Sequence, residues 1–447
     1  MDLQNTPLWD EVERVLAADP SEGHARWRCE LLVDEETIVP QQLISIETVR
    51  QYVSAFADQT VIAIKMLRGK YYHRLLPFKD DFKVRLYKEP VTEVKSAEDF
   101  DREVLVRTYR GVLVNAKSEK LKGGVQVIAD EEDADQTGFE EVSIQLVDLA
   151  LEQLQMKSIG GIYREMTPTD VVKGTLTKVC GELGLPEDES VKGIDMVDGM
   201  NTTVRNHIVV PNGTRVVDFP KYVQENVGIY GSGIGYYLQN GIWFVYPEFN
   251  VRRFDATPKT LTVFNIPENR LPGYERTYLK DGDRVLILAT GKTDHVDPTD
   301  SNQLVQGNGV RFSNADKLLE DYRTIQSNRV TFDRSKNVEE FHIKPRRAGL
   351  NQAPLSPRRI TANPYHELSE LSKRVGSVIQ FQWQHADVDL IYPGMPVRYV
   401  YLEDDTINEV FGVVLGADHL VSVQGRGMVN DNYVCEAVVR LFLETGD

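Results

Sequence analysis

One order of strand-like phrases occurs twice in this chain, once early and once late. The early series is TVIAIKM (60–66), LLPF (75–78), FKVRLYKE (82–89), YRGVLVNA (109–116) and VSIQLVDLALE (142–152). The late series is SVIQFQW (377–383), LIYPG (390–394), PVRYVYLE (396–403), VFGVVLGA (410–417) and VCEAVVRLFLE (434–444). A repeat at this scale constrains a chain strongly, because like sequences bury like faces. The best matches set Gly111–Val114 against Gly412–Leu415, and Val142–Glu152 against Val434–Glu444. Within FKVRLYK, Phe82, Val84 and Leu86 face one way and Lys83 and Arg85 the other, as in antiparallel sheet with one wet face. The expectation is an α+β chain, mainly β, with two related antiparallel β-barrels. Three copies of a chain with two like domains present a ring of six like units.

The segment between the two series has a different character. TPTDVVKGTLTKVCGELGLP reads as a helix: Thr167 caps it, Pro168 begins it, Val172, Leu176, Val179 and Leu183 form its stripe, and Gly184 stops it. A second helix starts near Asp218, and GIWFVYP is a strand. At the N-terminus, Thr6 caps a helix with Pro7 first, Leu8, Val12, Val15 and Leu16 on one face, and Pro20 ends it. Such an arm packs either on its own domain or on a neighbouring subunit. The division that follows is a helical arm (1–22), a first barrel (23–155), a small α/β domain (156–262) and a second barrel (263–447), with an irregular excursion at about 296–374. The excursion ends in NPYHELSELSKRV, a helix with Asn363 as cap and Leu368, Leu371 and Val375 on one face. It also holds a basic stretch: Lys344, Arg346, Arg347, Arg358 and Arg359 lie there without an acid among them. That stretch is either a solvated loop or an arm for an acidic surface.

Motifs for chemistry are tested and set aside. Gly231, Gly233 and Gly235 form GxGxG, but helix precedes and strand follows, the reverse of a dinucleotide loop. Gly228 reads as a helix cap, the next glycines as a turn, and Tyr236, Tyr237 and Trp243 as core; a glycan-stacking platform is the alternative use of those rings. Gly291-Lys292-Thr293 lacks the first glycine of a P-loop, where Leu286 stands. Asp294, His295, Asp297 and Asp300 could gather around a cation, though an acidic loop is the simpler reading. Asp133, Asp135 and Gly138 resemble a calcium loop whose closing glutamate is replaced by Ile144. Asp195, Asp198 and Glu225 have no spacing that favours catalysis, the histidines form no HxH or HExxH, and Cys29, Cys180 and Cys435 form no CxxC. No catalytic, cofactor-binding or metal-binding residue is expected. The formal charge of −17 would repel nucleic-acid phosphates and anionic membranes. No signal peptide or membrane span is read, which fits assembly in a cytoplasm.

The order EVSIQLVDLALEQLQ, SIGGIYREMTPTDVVKGTLTKVCGELGL, PNGTRVVDFPKYVQENVGIYGSGIGYYLQNGIWFVYP and LIYPGMPVRYVYLEDD resembles the baseplate hub protein of contractile-tailed bacteriophages. That protein is a relative of the hub part of type VI secretion spikes. The resemblance runs from about residue 24 to the end; the basic stretch at 344–359 matches nothing in it. It implies tail-tube-like barrels and a homotrimer whose pseudo-six-fold ring meets the tail tube above. The true three-fold would meet a trimeric spike below. It implies contacts with tube or tube-initiator proteins and other baseplate proteins, and genomic DNA passing through the lumen without specific binding. It implies no enzymatic activity, no cofactor and no membrane insertion, with the chain in the virion baseplate. The alternatives are a tube-initiator or adaptor ring of six copies, and a cell-wall-degrading or glycan-binding tail protein.

Overall fold

Strands make up about half of the described residues, and among these one sheet takes in all but five of the strands. The computed structural model describes residues 7–18, 25–79, 81–90, 105–114, 138–271, 277–289, 293–296, 363–373, 376–403, 406–423 and 433–444. The early strands are β1 (Ala25–Val33), β2 (Glu36–Ile38), β3 (Gln42–Val49), β4 (Gln59–Leu67), β5 (Phe82–Pro90), β6 (Leu105–Val114) and β7 (Phe139–Asp148). The middle holds β8 (Ser158–Tyr163), β9 (Gly193–Met196), β10 (Ile208–Arg215), β11 (Ile234–Gln239) and β12 (Ile242–Pro247). The late strands are β13 (Thr260–Asn265), β14 (Tyr278–Asp281), β15 (Arg284–Ala289), β16 (Thr293–Val296), β17 (Gly376–Gln384), β18 (Pro396–Glu403), β19 (Thr406–Val423) and β20 (Tyr433–Glu444). The longer helices are α1 (Pro7–Leu16), α2 (Leu149–Met156), α3 (Pro168–Gly181), α4 (Phe219–Asn226) and α5 (Pro364–Ser372).

The early and late strands pair in the same order. β5–β6–β7–β4–β3 are successive antiparallel neighbours, and so are β18–β19–β20–β17–β16. The registers agree as well. Gly111 sits opposite Leu146, and Leu146 opposite Thr60. Gly412 sits opposite Leu443, and Leu443 opposite Ser377. The correspondence Thr60–Met66 with Ser377–Trp383 therefore holds residue by residue, and so does Gly111 with Gly412. The match of Val142–Glu152 to Val434–Glu444 is out of step: the ladders set Val142–Leu146 on Val439–Leu443. Leu149 and Leu151 belong to α2, whose first turn is capped by Asp148 accepting the Leu151 amide at 3.0 Å.

The two glycines serve close approach. A Cβ on Gly111 would fall 2.2 Å from the Phe82 ring, and one on Gly412 would fall 2.0 Å from the carbonyl oxygen of Phe442. The equivalent strands also bury equivalent faces: Ile62, Ile64, Val84, Ile144 and Leu146 in the early core, Ile379, Phe381, Tyr399, Leu441 and Leu443 in the late one.

The expected pair of antiparallel barrels is corrected in two respects. The sheet has 15 strands and is continuous, because β19 is 18 residues long and outruns β18. Its far half lays His419–Ser422 antiparallel along Ser45–Thr48 of β3, so the early set is extended into the late set instead of closing on itself. The sheet is also mixed: β13 runs parallel to both β15 and β18, whereas its early counterpart β1 runs antiparallel to β5. Every residue of β13 is buried, the continuous pattern of a strand covered on both faces. One cover is the late core. The other is α1, which inserts Val12 and Val15 against Phe264, Leu286, Leu288 and Val400. Arg14 pairs with Asp281 at 2.6 Å, and Glu11 pairs with Arg398. The N-terminal arm thus packs on the late strands of its own chain, at the opposite end of the sequence.

Between the two strand sets, α3 buries Val172, Leu176 and Val179 of the expected stripe, and Val171 beside them, with Thr167 as cap; Leu183, also buried, lies just past the helix end. It packs with α4, the sheet β11–β12–β9 and the ribbon β8–β10 around Trp243 and Phe219. Gly228 ends α4 with φ +84°, and Gly233 turns with φ +82°. α5 docks through Asn363, whose side-chain amide donates to the carbonyls of Gln224 and Glu225 at the end of α4. Its Leu368 is exposed rather than part of a buried face. Thr6, Pro20, Asp133, Asp135, Asp297, Asp300, Val375 and the basic stretch 344–359 lie outside the described residues.

Candidate functional site: a buried ionic junction and the sheet edges

Three parts of the chain meet at Arg50, which follows β3 and is 3% exposed. Its Nε donates to Asp58 at 3.0 Å, its Nη2 to Asp389 at 3.0 Å, and its Nη1 to the Val388 carbonyl at 3.0 Å. Asp389 has a second cation, since Lys88 of β5 reaches it at 2.7 Å and Asp387 at 2.6 Å. The middle segment joins through Tyr237, which donates to Asp58 at 3.0 Å, and Gln239, which donates to the Ile391 carbonyl at 2.8 Å. Tyr52 donates to Gln239 at 3.1 Å. The early strands also hold the middle segment at their outer edge: Lys83 pairs with Glu189 at 2.5 Å, and Thr108 donates to Asp188 at 2.5 Å. The PGM turn closes the arrangement. Gly394 has φ +69°, and a Cβ there would fall 2.0 Å from the Tyr246 ring.

Burial sets the ionisation of these groups. Burial alone would raise the Asp389 carboxyl, but Lys88 and then Arg50 override it and hold it well below the usual carboxylate range. Among the described residues Asp58 pairs with Arg50 alone; burial wins there and moves it upward. Burial would lower Lys88, yet Asp389 and Asp387 raise it. His419 of β19, opposite Thr48 in the β19–β3 pairing, is pushed down to about 3 by burial and then by Arg50. It is neutral at neutral pH.

His419 makes the junction sensitive to acid. Its ordinary value is about 6.5, so below that pH the unfolded chain takes up a proton that the folded chain refuses. Stability is therefore lost as pH falls from about 6.5 toward 3. The loss reaches about 2 kcal/mol by pH 5. Asp389 adds to it only below about pH 4, and Asp58, being raised, acts in the opposite sense. His419→Gln is expected to flatten the pH 5–6.5 limb of a urea-midpoint profile. An unchanged limb would assign the effect to other groups.

The residues examined for chemistry are dispersed. Asp195 pairs with Lys259 at 3.6 Å. Glu225 lines an open cleft of about 450 Å³ with Lys221, Lys373 and Glu248. Among the described residues no three His, Cys, Asp or Glu side chains are grouped as a metal site would require. Tyr237 and Trp243 are completely buried, so the glycan-stacking use of those rings is ruled out; only Tyr236 is half-exposed, tilted against Phe56. No motif announces the junction. The nearest signal is Asp387-x-Asp389 inside the apolar run ADVDLIYPGM, where two acids too deep for a loop require cations. The free ends of the large sheet complete the picture. Its path ends at β14 and β2, and its branch ends at β16, which pairs only with β17 among the described residues.

No known sequence family matches the chain, and no curated protein does. Similar folds occur among solved structures. The tail protein from Neisseria meningitidis aligns over 93% of this chain and 96% of its own, with 12% identity and a TM-score of 0.45. An Escherichia coli component of the type VI secretion system, described as structurally similar to phage tail proteins, aligns over 93% and 77%, with 8% identity and a TM-score of 0.41. The 43 kDa tail protein of a Shewanella oneidensis prophage aligns over 93% and 98%, with 10% identity and a TM-score of 0.41. These neighbours are named for tails and secretion machinery.

Proposed function

We propose that this chain is a structural hub of a contractile-tail baseplate, acting as a homotrimer. Three copies supply six like strand sets, which face the six-fold tail tube, while the true three-fold faces a trimeric spike. The observation that carries the reading is the repeated strand order in matching register, joined edge to edge by β19 and β3 within one chain. A chain that already contains two units needs half the copies of its tube neighbours. The same count argues against the six-copy initiator ring, which would hold twice as many units as the tube. The division of the chain at about 23, 156 and 263 marks the pieces that would take these separate positions. The acidic balance of −17 suits a lumen along which DNA slides without adhering.

The work of such a part is mechanical. It has to stay rigid while force passes from tube to spike, and a junction that ties early strands, late strands and middle segment through one arginine serves that end. Other baseplate proteins would meet it through larger interfaces of apolar core and polar rim. Ile162 and Val209, opposite one another on the β8–β10 ribbon and both exposed, are candidates for such a contact. The test is position in the particle. A gold label on this chain is expected at the distal end of the tube, where the needle begins. Label distributed along the tube, or absent from intact tails, would overturn the reading. Clearing of purified cell walls by the isolated chain would favour the cell-wall enzyme instead.

A further inference from the structure

β11 lies at an edge of the three-stranded sheet, and the chain on either side of that edge is described without a break, over 25–79 and 138–271. β11 and β12 form a hairpin whose turn is Asn240 (φ +50°) and Gly241 (φ +78°). A two-residue turn of this kind makes its flanking pair, Gln239 and Ile242, a hydrogen-bonded one. Bonded pairs alternate back along the ladder. Tyr237 and Gly235 therefore bond to β12, while Leu238, Tyr236 and Ile234 turn their N–H and C=O groups outward. Leu238 uses its outward N–H: it donates to the Phe56 carbonyl at 2.7 Å, where Ala57 runs parallel beside it. The outward groups of Ile234 and Tyr236 meet no partner among the described residues.

The two stretches that meet at Leu238 and Ala57 diverge as they run back. Residues 51–55 fold into a turn, closed by the Ala55 amide on the Gln51 carbonyl at 3.0 Å. The open cleft of about 450 Å³ is lined by that turn on one side and by Gly233–Tyr236 on the other, so it lies in a fork. Phe56, Tyr236 and Phe249, each half-buried, give it apolar wall. Its charges nearly balance: Asp218, Glu225 and Glu248 stand against Lys221 and Lys373, and Asp218 is held by Arg215 at 2.6 Å. Unused main-chain groups beside apolar wall and little net charge fit a strand, not a polyion.

We propose that this fork receives an extended peptide segment of another protein, which pairs with Ile234 and Tyr236 and so lengthens the pairing that Phe56 begins at Leu238. Main-chain bonds to the outward groups supply the affinity, and apolar side chains against Phe56, Tyr236 and Phe249 supply the selectivity. The closed end at Leu238 limits the segment to about three or four residues, roughly 10–13 Å of strand. The inference does not depend on the three-copy reading, since a single chain carries the whole cleft.

The test begins with hydrogen exchange of the full chain, resolved to single residues. The Ile234 and Tyr236 amides are expected to exchange about a hundredfold faster than those of Gly235 and Tyr237. Equal protection at all four would show that the edge is already covered, and the proposal would fall. A displayed library of random heptapeptides is then selected on the wild type and counter-selected on Val53→Trp. That variant fills the cleft from a position 51% exposed, so its urea midpoint is expected to match the wild type. Peptides with alternating apolar residues are expected to be enriched, to slow exchange at Ile234 and Tyr236, and to bind Val53→Trp about tenfold more weakly. Methylating every second peptide nitrogen should cost about tenfold in one frame and little in the other. Enriched peptides that leave both amides unprotected, or no enrichment over the variant, would end the proposal.

Discussion

Replacing Arg50 by methionine is expected to lower the stability of the fold by about 3–5 kcal/mol, the range for removing one partner of a buried ion pair. The residue is 3% exposed, and its loss leaves the Asp58 carboxylate without its cation and takes one of two donors from the Val388 carbonyl, which keeps the Ile391 amide at 3.2 Å. Asp389 is less affected because Lys88 still holds it at 2.7 Å. That asymmetry gives a second expectation: adding Asp58→Asn to Arg50→Met recovers part of the loss, whereas adding Asp389→Asn recovers less. The measurement is the urea midpoint followed by tryptophan fluorescence. The early strands, late strands and middle segment all depend on this side chain, so their transitions should also separate in the variant. A loss below about 1 kcal/mol would mean that water reaches the junction and screens it as on a surface.

Trp383→Ala is expected to cost a comparable 3–5 kcal/mol. Trp383 is wholly buried in the late core, stands edge-on to Tyr278 at 5.6 Å, and donates to Thr277 at 3.1 Å. Its counterpart in the early core is Met66, likewise buried. The duplication therefore makes a comparison available. Trp383→Met, which imitates the early core, should cost clearly less than Trp383→Ala, because methionine fills irregular space that alanine leaves empty. Thr277 keeps its bond to the Gln384 carbonyl at 2.6 Å in either variant, so no hydroxyl is orphaned. Equal losses for the two variants would show that the indole bond, not the volume, is what the core requires.

Much of this was legible in the sequence, and the exceptions have physical causes. The repeat was readable where strands alternate cleanly: Thr60–Met66 and Ser377–Trp383 match along their whole length. It failed at Val142–Glu152, where leucines spaced alike sit in a helix in one copy and a strand in the other. The switch is made by Asp148, a cap that competes with the strand for the backbone. The central helix, its cap and its stripe were readable because Thr167, Pro168 and the apolar spacing agree. The length of β19 was not, since nothing local distinguishes a strand that serves one sheet from one that bridges two. Nor was the junction. Arg50, Asp58, Lys88, Asp387 and Asp389 come from distant stretches, and only folding reveals that the two cations and three acids meet. The stacking use suggested for Tyr237 and Trp243 fell for a related reason, because alternation places them but does not say which face of β11 and β12 is covered.

An end-on cryo-electron image of the purified assembly tests the central claim most directly. The account predicts six sheet lobes around one opening, contributed by three chains and alternating in detail, so that the symmetry is three-fold at high resolution and six-fold when blurred. Particles of one chain, or a six-chain ring with twice as many lobes, would contradict it.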